Sequence, residues 1–315
     1  MKLSGEDLLL GKILKGLPDS KDLVLGPGDD CAVVRIKSGL LLLKTDCLVE
    51  NIHFLRKEDP KRAGWKALCR PLSDIAAMGG KPLHALITLF SPPELDPAYW
   101  EEFYKGIRKA ARKFGVTIAG GEMSRQPCGL AVSVALTGSV SKRFAPRSGG
   151  SSGDVLFVTG ELGGSLAGHH LDFVPRLKEG QWLTTSGFAN AMMDLSDGLG
   201  SDLPRLARAS GCGFDVHLDR IPLRRGSDVQ AGLTDGEDYE LLFAVSPNKS
   251  SQLVQKWKSA FPRVRLTDIG TLNGTGSAPQ NWPGGWDHFT VVRTTRLGQR
   301  SREPAGKPRR QRGGQ

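Results

Sequence analysis

Apolar positions along the chain fall into short runs or alternations that read as strands, separated by stretches with three- and four-residue spacing that read as helices. Residues 6–16 read as a short amphipathic helix. Ala32 to Ile36 reads as a strand entered directly from Asp30, and the apolar Leu40 to Leu43 as a second strand delivering Thr45 and Asp46 at its end. From Pro60 to Met78 the residues Ala63, Ala67, Leu68, Leu72, Ile75 and Ala76 keep helical spacing. Gly79-Gly80 stops that helix, and Pro71 is expected to kink it near Asp74. Leu83 to Phe90 returns as a strand, and Pro97 to Phe114 is a helix closed by Gly115. Val116 to Ala119 and Leu130 to Val140 supply two more strands, the second alternating at Val132, Val134 and Leu136. The first half therefore predicts a mixed α/β layer.

The Ser-, Gly- and Arg-rich loop Ser141 to Gly153 marks a domain boundary. Beyond it, Val155 to Thr159 reads as a strand, Gly160 to Gly164 as a turn and Ser165 to Leu171 as a short helix. Asp202-Leu203-Pro204 looks like an N-cap with proline in the first turn, opening a helix to Ser210. Glu240 to Val245 and Arg263 to Ile269 read as strands around a helix near Lys249 to Ser259. At 315 residues two domains are expected. They are drawn at 1–142 and 143–292, with 293–315 as a basic tail.

Five segments set a carboxylate beside glycine or another small residue at the edge of an apolar run: Gly26-Pro27-Gly28-Asp29-Asp30, Lys44-Thr45-Asp46, Leu72-Ser73-Asp74, Gly120-Gly121-Glu122 and Asp194-Leu195-Ser196-Asp197-Gly198. Singly, each acid has a local explanation. Asp29 suits a turn, Asp74 a solvated face, and Asp202 a helix cap. Jointly, Asp30, Asp46, Asp74, Glu122, Asp194 and Asp197 all stand at predicted element ends and can converge on one rim. Gathered carboxylates repel and take up protons unless cations join them, and oxygen-only ligands suit a hard ion such as Mg²⁺. The chain has no Walker loop, and Gly160 to Gly164 fails the dinucleotide spacing. Phosphates can instead be held through bridging metals on carboxylates.

Composition narrows the classes. Hydrophobic content of 39% and charged content of 24% describe a globular chain rather than a fibrous or disordered one. The net charge of +10 suggests nucleic acid until it is located. Eight basic residues and one acid, Glu303, lie between Arg293 and Arg312, so the body carries only +3. That tail reads as a disordered, solvated extension, with weak RNA or membrane-surface contact as its alternative. Cys31, Cys47, Cys69, Cys128 and Cys212 are widely spaced and include no Cys-x-x-Cys pair. They read as free thiols in a reducing compartment, without zinc or a disulfide frame. Neither a signal peptide nor a membrane span is read in the sequence, so the expected location is the cytoplasm.

The motifs Gly-x-Gly-Asp-Asp-Cys-Ala (26–32), Thr-Asp-x-Leu-Val-Glu-x-x-His-Phe (45–54), Leu-Ser-Asp-Ile-Ala-Ala-Met-Gly (72–79), Asp-Leu-Ser-Asp-Gly-Leu (194–199) and Gly-Glu-Asp-Tyr-Glu-Leu-Leu-Phe (236–243) occur in that order. Together they resemble the thiamine-monophosphate kinase family, of the superfamily with aminoimidazole ribonucleotide synthetase and selenophosphate synthetase. The resemblance covers about residues 5 to 290. It implies a two-domain α/β (α+β) synthetase-like fold, an N-terminal mixed sheet pairing a homodimer, and ATP-dependent phosphorylation of thiamine monophosphate with several Mg²⁺ ions. Carried over by position, Asp30, Thr45, Asp46, Asp74, Asp194 and Asp197 match the family's magnesium ligands, and the resemblance counts the five aspartates as catalytic residues. Gly121 and Glu122 match its ATP and metal loop, Arg147 and Ser196 its ATP contacts, and His53, Glu237 and Trp286 its thiamine-phosphate contacts.

An acceptor that is a phosphate monoester has a second pKa near ~6, so it is mostly dianionic at neutral pH and needs no general base. The obstacle is repulsion between two anions, which metals and an arginine can screen. Without the resemblance, Arg147 reads equally well as a surface arginine, His53 as a satisfied loop histidine, Trp286 as an ordinary aromatic and His169-His170 as helix surface. Several positions depart from the family pattern. Glu122 stands for Asp, Lys44 replaces a small hydroxyl residue before Thr45-Asp46, and Asp235 replaces glycine. The segment Gly168 to Trp182 is shortened, and Met123 to Pro127 differs. Two alternatives remain: a superfamily enzyme acting on another small phosphate acceptor, and a non-catalytic nucleotide- or RNA-binding relative using the tail.

Overall fold

The computed structural model describes residues 5–17, 20–140, 143–276 and 278–287. The expected tail 293–315, the end of the expected second domain at 288–292 and Ser141-Lys142 of the boundary loop lie outside them. The first half contains α1 (Gly5–Ile13), β1 (Leu23–Leu25), β2 (Ala32–Ile36), β3 (Gly39–Val49), α2 (Pro60–Ala77), β4 (Lys81–Ser91), α3 (Pro97–Phe114), β5 (Thr117–Arg125) and β6 (Ala131–Val140). Its strands form one mixed sheet in the order β1-β2-β3-β6-β4-β5, antiparallel except for the parallel pair β4 and β5. The second half contains β7 (Val155–Thr159), α4 (His169–Asp172), α5 (Leu177–Thr185), β8 (Ala189–Asp194), α6 (Leu199–Ala209), β9 (Gly213–Val216), α7 (Val229–Thr234), β10 (Leu241–Val245), α8 (Pro247–Ala260) and β11 (Leu266–Asn273). Here the sheet runs β8-β10-β7-β11-β9 and is antiparallel throughout.

Helices α2 and α3 begin alike. Asp59 and Asp96 accept the backbone N–H two residues on, and Pro60 and Pro97 occupy the first turn, where a missing N–H costs nothing. Gly115, at φ 70°, closes α3 in the left-handed region. The two helices approach closely through glycine. A Cβ on Gly64 would lie 1.9 Å from the Phe103 carbonyl oxygen, and one on Gly106 would lie 1.9 Å from that of Lys61.

Helix α2 packs on β3, β6 and β4 on one side and on α4, α5 and β8 on the other. It is therefore buried almost all round, from Ala63 to Ala77. Polar side chains on such a helix cannot reach bulk water and must find partners across the interface. Two buried charges on it, Lys66 and Asp74, are paired in this way with Glu237 and Lys44. One large core joins the first sheet, α2, α3 and one face of the second sheet, while a smaller core fills the other face of the second sheet beneath α6.

Four differences from the sequence reading bear on the site. β3 does not stop at Leu43 but continues to Val49, so Thr45 and Asp46 sit within the strand on opposite faces. β5 continues past Ala119 to Arg125 and absorbs Gly121 and Glu122, which read as a loop. α6 opens at Leu199 behind Gly198, so Asp202 is inside the helix rather than its cap. Pro204 leaves the Gly200 carbonyl without its helical donor, and the Trp282 indole N–H supplies one at 2.9 Å. β8, β9, α5 and α7 are further elements that periodicity did not reveal. No helix among the described residues is long and apolar enough to cross a membrane.

The glycine contact is testable. Gly106→Ala should force α3 away from α2 and cost about 2 kcal/mol or more, read as a fall in melting temperature. An unchanged melting temperature would contradict the close packing.

Candidate active site

Asp30 enters from the turn before β2, Asp74 from α2 and Asp194 from the last position of β8, so one acid comes from each side of the domain junction and one from the helix between. Their carboxylate oxygens lie within 4.8 Å of one another, and all three residues are buried. Asp30 Oδ1 accepts from Arg147 Nη2 at 2.6 Å, and Asp74 Oδ1 accepts from Lys44 Nζ at 2.5 Å. Asp30 Oδ2 is buried and has no hydrogen-bond partner. A buried, unsatisfied carboxylate oxygen among two further acids is the donor set of a hard oxygen-seeking cation.

The electrostatics follow from the burial. Desolvation, aided by Asp30, raises Asp194 from its ordinary 3.8 to about 6. Desolvation likewise raises Asp29, with Asp30 adding to it, to about 6. Asp74 is pushed well up by burial; Lys44 pulls it back, while Asp194, Asp46 and Asp30 push it further. Burial works against the Lys44 ammonium, yet Asp74 and Asp46 hold it above the usual lysine value.

Two clefts meet at these acids. The larger, about 920 Å³, is walled by Leu10, Leu14, Pro27 and Ala209 and carries Arg147, Arg205 and Arg208. The smaller, about 440 Å³, is lined by Asp46, Ile52, His53, Arg70 and Tyr239. Lys44, Asp74, Asp194, Ser196 and Asp197 line both. The shared wall gives a ligand in each cleft access to the same charges.

Asp30, Asp74 and Asp194 form the cluster. Asp46 and Asp197 face the clefts beside it, each held by an arginine: Arg70 lies 3.0 Å from Asp46 and Arg205 2.6 Å from Asp197. Arg147 is docked on Asp30, and its own backbone N–H donates to Asp29 Oδ2 at 3.0 Å. Ser196 lines both clefts, and its carbonyl accepts from the Glu237 N–H at 2.7 Å. His53 lines the smaller cleft and accepts the Val49 N–H on Nδ1 at 2.9 Å. Trp286 is half-buried beside Asp197, whose carbonyl takes its backbone N–H at 2.8 Å. Glu237 is buried behind the cleft wall, paired with Lys66 and 3.5 Å from Arg70. Its left-handed backbone (φ 58°) turns the chain so that Glu237 and Tyr239 bond back to Ser196 and Leu195.

Thr45, Gly121 and Glu122 are not brought to the acids within one chain. Thr45 alternates with Lys44 and Asp46, so its side chain is exposed on the sheet face away from α2. Glu122 lies in the cross-strand row of Cys47, Ser133 and Thr88, three strand spacings or about 14 Å from β3. Sequence reasoning missed Arg70, Arg205 and the buried Lys66. Arg70 stands four residues before Asp74 on one helix face, and Arg205 three after Asp202; that spacing was the available signal. Asp202 accepts the Asp197 N–H at 3.0 Å and so shapes the turn that presents Asp197.

This fold and site define a class. Residues 28–140 match the N-terminal domain, and residues 151–278 the C-terminal domain, of AIR synthase related protein. Within that class the chain is 34% identical to thiamine-monophosphate kinase of Aquifex aeolicus (strain VF5), covering 92% of this chain and 99% of the relative. It is 35% identical to that of Escherichia coli (strain K12), over 76% and 82% of the two chains. A solved structure of AaThiL complexed with AMPPCP and TMP superimposes with a TM-score of 0.76 at 33% identity, covering 92% of this chain and 99% of the other. The chain belongs to the thiamine-monophosphate kinase family, enzymes that transfer a phosphoryl group to a phosphate acceptor.

The folded chain holds the Asp194 proton more tightly than an unfolded chain does, so this group favours folding at low pH. That contribution is lost as pH rises from about 4 through about 6. In chelator-treated protein, Asp194→Asn should gain in melting temperature relative to the wild type across that range. A difference independent of pH would show that the carboxylate is not desolvated.

Proposed function

We propose that the chain transfers the terminal phosphoryl group of ATP to the phosphate of thiamine monophosphate, giving thiamine diphosphate and ADP. The observation that carries this reading is the wall of Lys44, Asp74, Asp194, Ser196 and Asp197 shared by two clefts. The larger cleft, with three arginines and an apolar side, suits a nucleoside polyphosphate. The smaller, with Arg70, His53 and Tyr239, suits a phosphate monoester on an aromatic cation. The structural relative complexed with AMPPCP and TMP supports the pairing of these ligands.

Asp30, Asp74 and Asp194 would hold Mg²⁺, with Asp46 and Asp197 at its margin. When bound, the ions supply charge that screens the two phosphates from each other and stabilises the transferring group. Arg147 and Arg205 steer and retain the donor phosphates from one side, while Arg70, fixed by Asp46 and Glu237, orients the acceptor phosphate from the other. The acceptor oxygen is already ionised at neutral pH, so the residues align an in-line attack and abstract no proton. Trp286 and Glu237 are assigned to the acceptor side, Trp286 beside Asp197 and Glu237 through Arg70.

We further propose a homodimer closed by the uncovered face of the first sheet. Leu43, Leu86 and Ala135 are exposed there in neighbouring strands, and Thr45 and Glu122 lie on the same face. A second copy on that face can bring Gly121 and Glu122 toward a site their own chain leaves out of reach. The five free cysteines agree with a cytoplasmic enzyme.

Purified protein incubated with ATP, Mg²⁺ and a panel of phosphate acceptors should convert thiamine monophosphate in preference to the others; preference for another acceptor would contradict the assignment. Asp30→Asn and Asp46→Asn should each lower kcat by about 10²-fold or more while the fold is kept, because these acids act through charge rather than packing. Undiminished turnover would remove them from the site. Deleting residues 294–315 should leave kcat and KM unchanged, and a large loss would mean the tail takes part.

A further inference from the structure

Two cations are bonded to the clustered acids, Arg147 to Asp30 and Lys44 to Asp74, and of the two only Lys44 lines both clefts. We propose that the Lys44 ammonium is a resident cation of the cluster, doing permanently what a further divalent ion would otherwise do, so that the chain binds one fewer such ion. The inference rests on the reading of this site as metal-assisted.

Strand alternation turns Lys44 and Asp46 toward α2 and Thr45 away from it, so the lysine meets Asp74, thirty residues later in the chain, across the strand–helix interface. Its Nζ donates a short, charge-assisted hydrogen bond to Asp74 Oδ1 at 2.5 Å, which sets a full positive charge on one of the three clustered carboxylates. Of the three clustered acids, Asp30 has Arg147 on one oxygen and an unpartnered buried second oxygen, whereas Asp74 is already engaged by the lysine. The cluster thus presents a buried, unpartnered oxygen on Asp30 and, at Oδ1 of Asp74, an oxygen already filled by an ammonium.

Lys44 also lines both clefts, so its charge faces a phosphate in either one. A compact ammonium with three donors can serve both phosphates and Asp74 at once. Unlike a bound ion it cannot dissociate. It therefore stays on Asp74 when divalent ions are scarce.

The test counts ions on the full chain. Mn²⁺ bound at saturation, without nucleotide, is measured from the free-ion electron paramagnetic resonance signal. Melting temperatures are recorded with and without Mg²⁺. Lys44→Met, which keeps length and removes charge, and Lys44→Thr should each bind one more Mn²⁺ per chain than the wild type. Both should melt lower without Mg²⁺ and regain more on adding it, while Lys44→Arg should keep the wild-type count. Equal counts and equal Mg²⁺-induced shifts in all four proteins would overturn the proposal. So would failure of both neutral variants to fold even with Mg²⁺ present, since no divalent ion would then replace the lysine. Kinase activity of the wild type is assayed separately. Its absence would refute the proposed reaction and leave the ion count to stand or fall alone.

Discussion

Burying Asp30, Asp74 and Asp194 within 4.8 Å of one another is the constraint on which the rest of the molecule depends. Three like charges in a water-poor junction are unfavourable by several kcal/mol unless cations share the space. The architecture supplies some of those cations itself. Arg147 comes from the turn after the first sheet, Lys44 from its central strand, and Arg205 from the helix behind Asp197. α2 makes this arrangement possible because it is buried on both sides and carries Arg70 and Asp74 into the junction, with Lys66 pinning Glu237 behind it. The price of that helix is a set of polar groups that are secure only while both halves stay packed together.

The same junction explains why the protein needs two sheets. Each cleft takes walls from both halves, and the acids lie where the clefts meet. A phosphoryl group passing between two bound anions requires charge at the crossing point and little else: no base, no nucleophile on the protein, no glycine-rich phosphate cradle. The local chemistry is simple, and the difficulty lies in holding the charges in place. The paired backbone bonds from Glu237 and Tyr239 to Ser196 and Leu195 serve that purpose by locking the Asp194–Asp197 turn against the segment after α7.

Much of this was legible from the chain. The proline-and-aspartate helix starts, the alternation of β6 and the glycine stop of α3 are local signals, and they reappear in the structure at nearly the expected residues. The gathering of Asp30, Asp74 and Asp194 was also anticipated, because acids at element ends are costly unless they meet. What failed depended on length rather than type. Ending β3 at Leu43 hides the fact that Thr45 and Asp46 face opposite ways, and ending β5 at Ala119 hides that Glu122 belongs to an edge strand. Polar residues continue both strands, so hydrophobicity alone could not show how far they run. Asp202 illustrates another limit: a short acid before a proline looks like a cap, and only the tertiary contact with the Asp197 N–H reveals that it supports a turn. Arg70 and Arg205 were overlooked because a basic residue on a helix resembles every other surface charge until its partner is known.

The most direct test of the account is a crystal structure of the protein with Mg²⁺, thiamine monophosphate and a non-hydrolysable ATP analogue. The account predicts divalent ions on Asp30 and Asp194 oxygens, with the terminal phosphate of the analogue in the larger cleft and the acceptor phosphate in the smaller one facing each other across Asp74. Ligands bound elsewhere, or ions absent from these carboxylates with both phosphates in place, would contradict it.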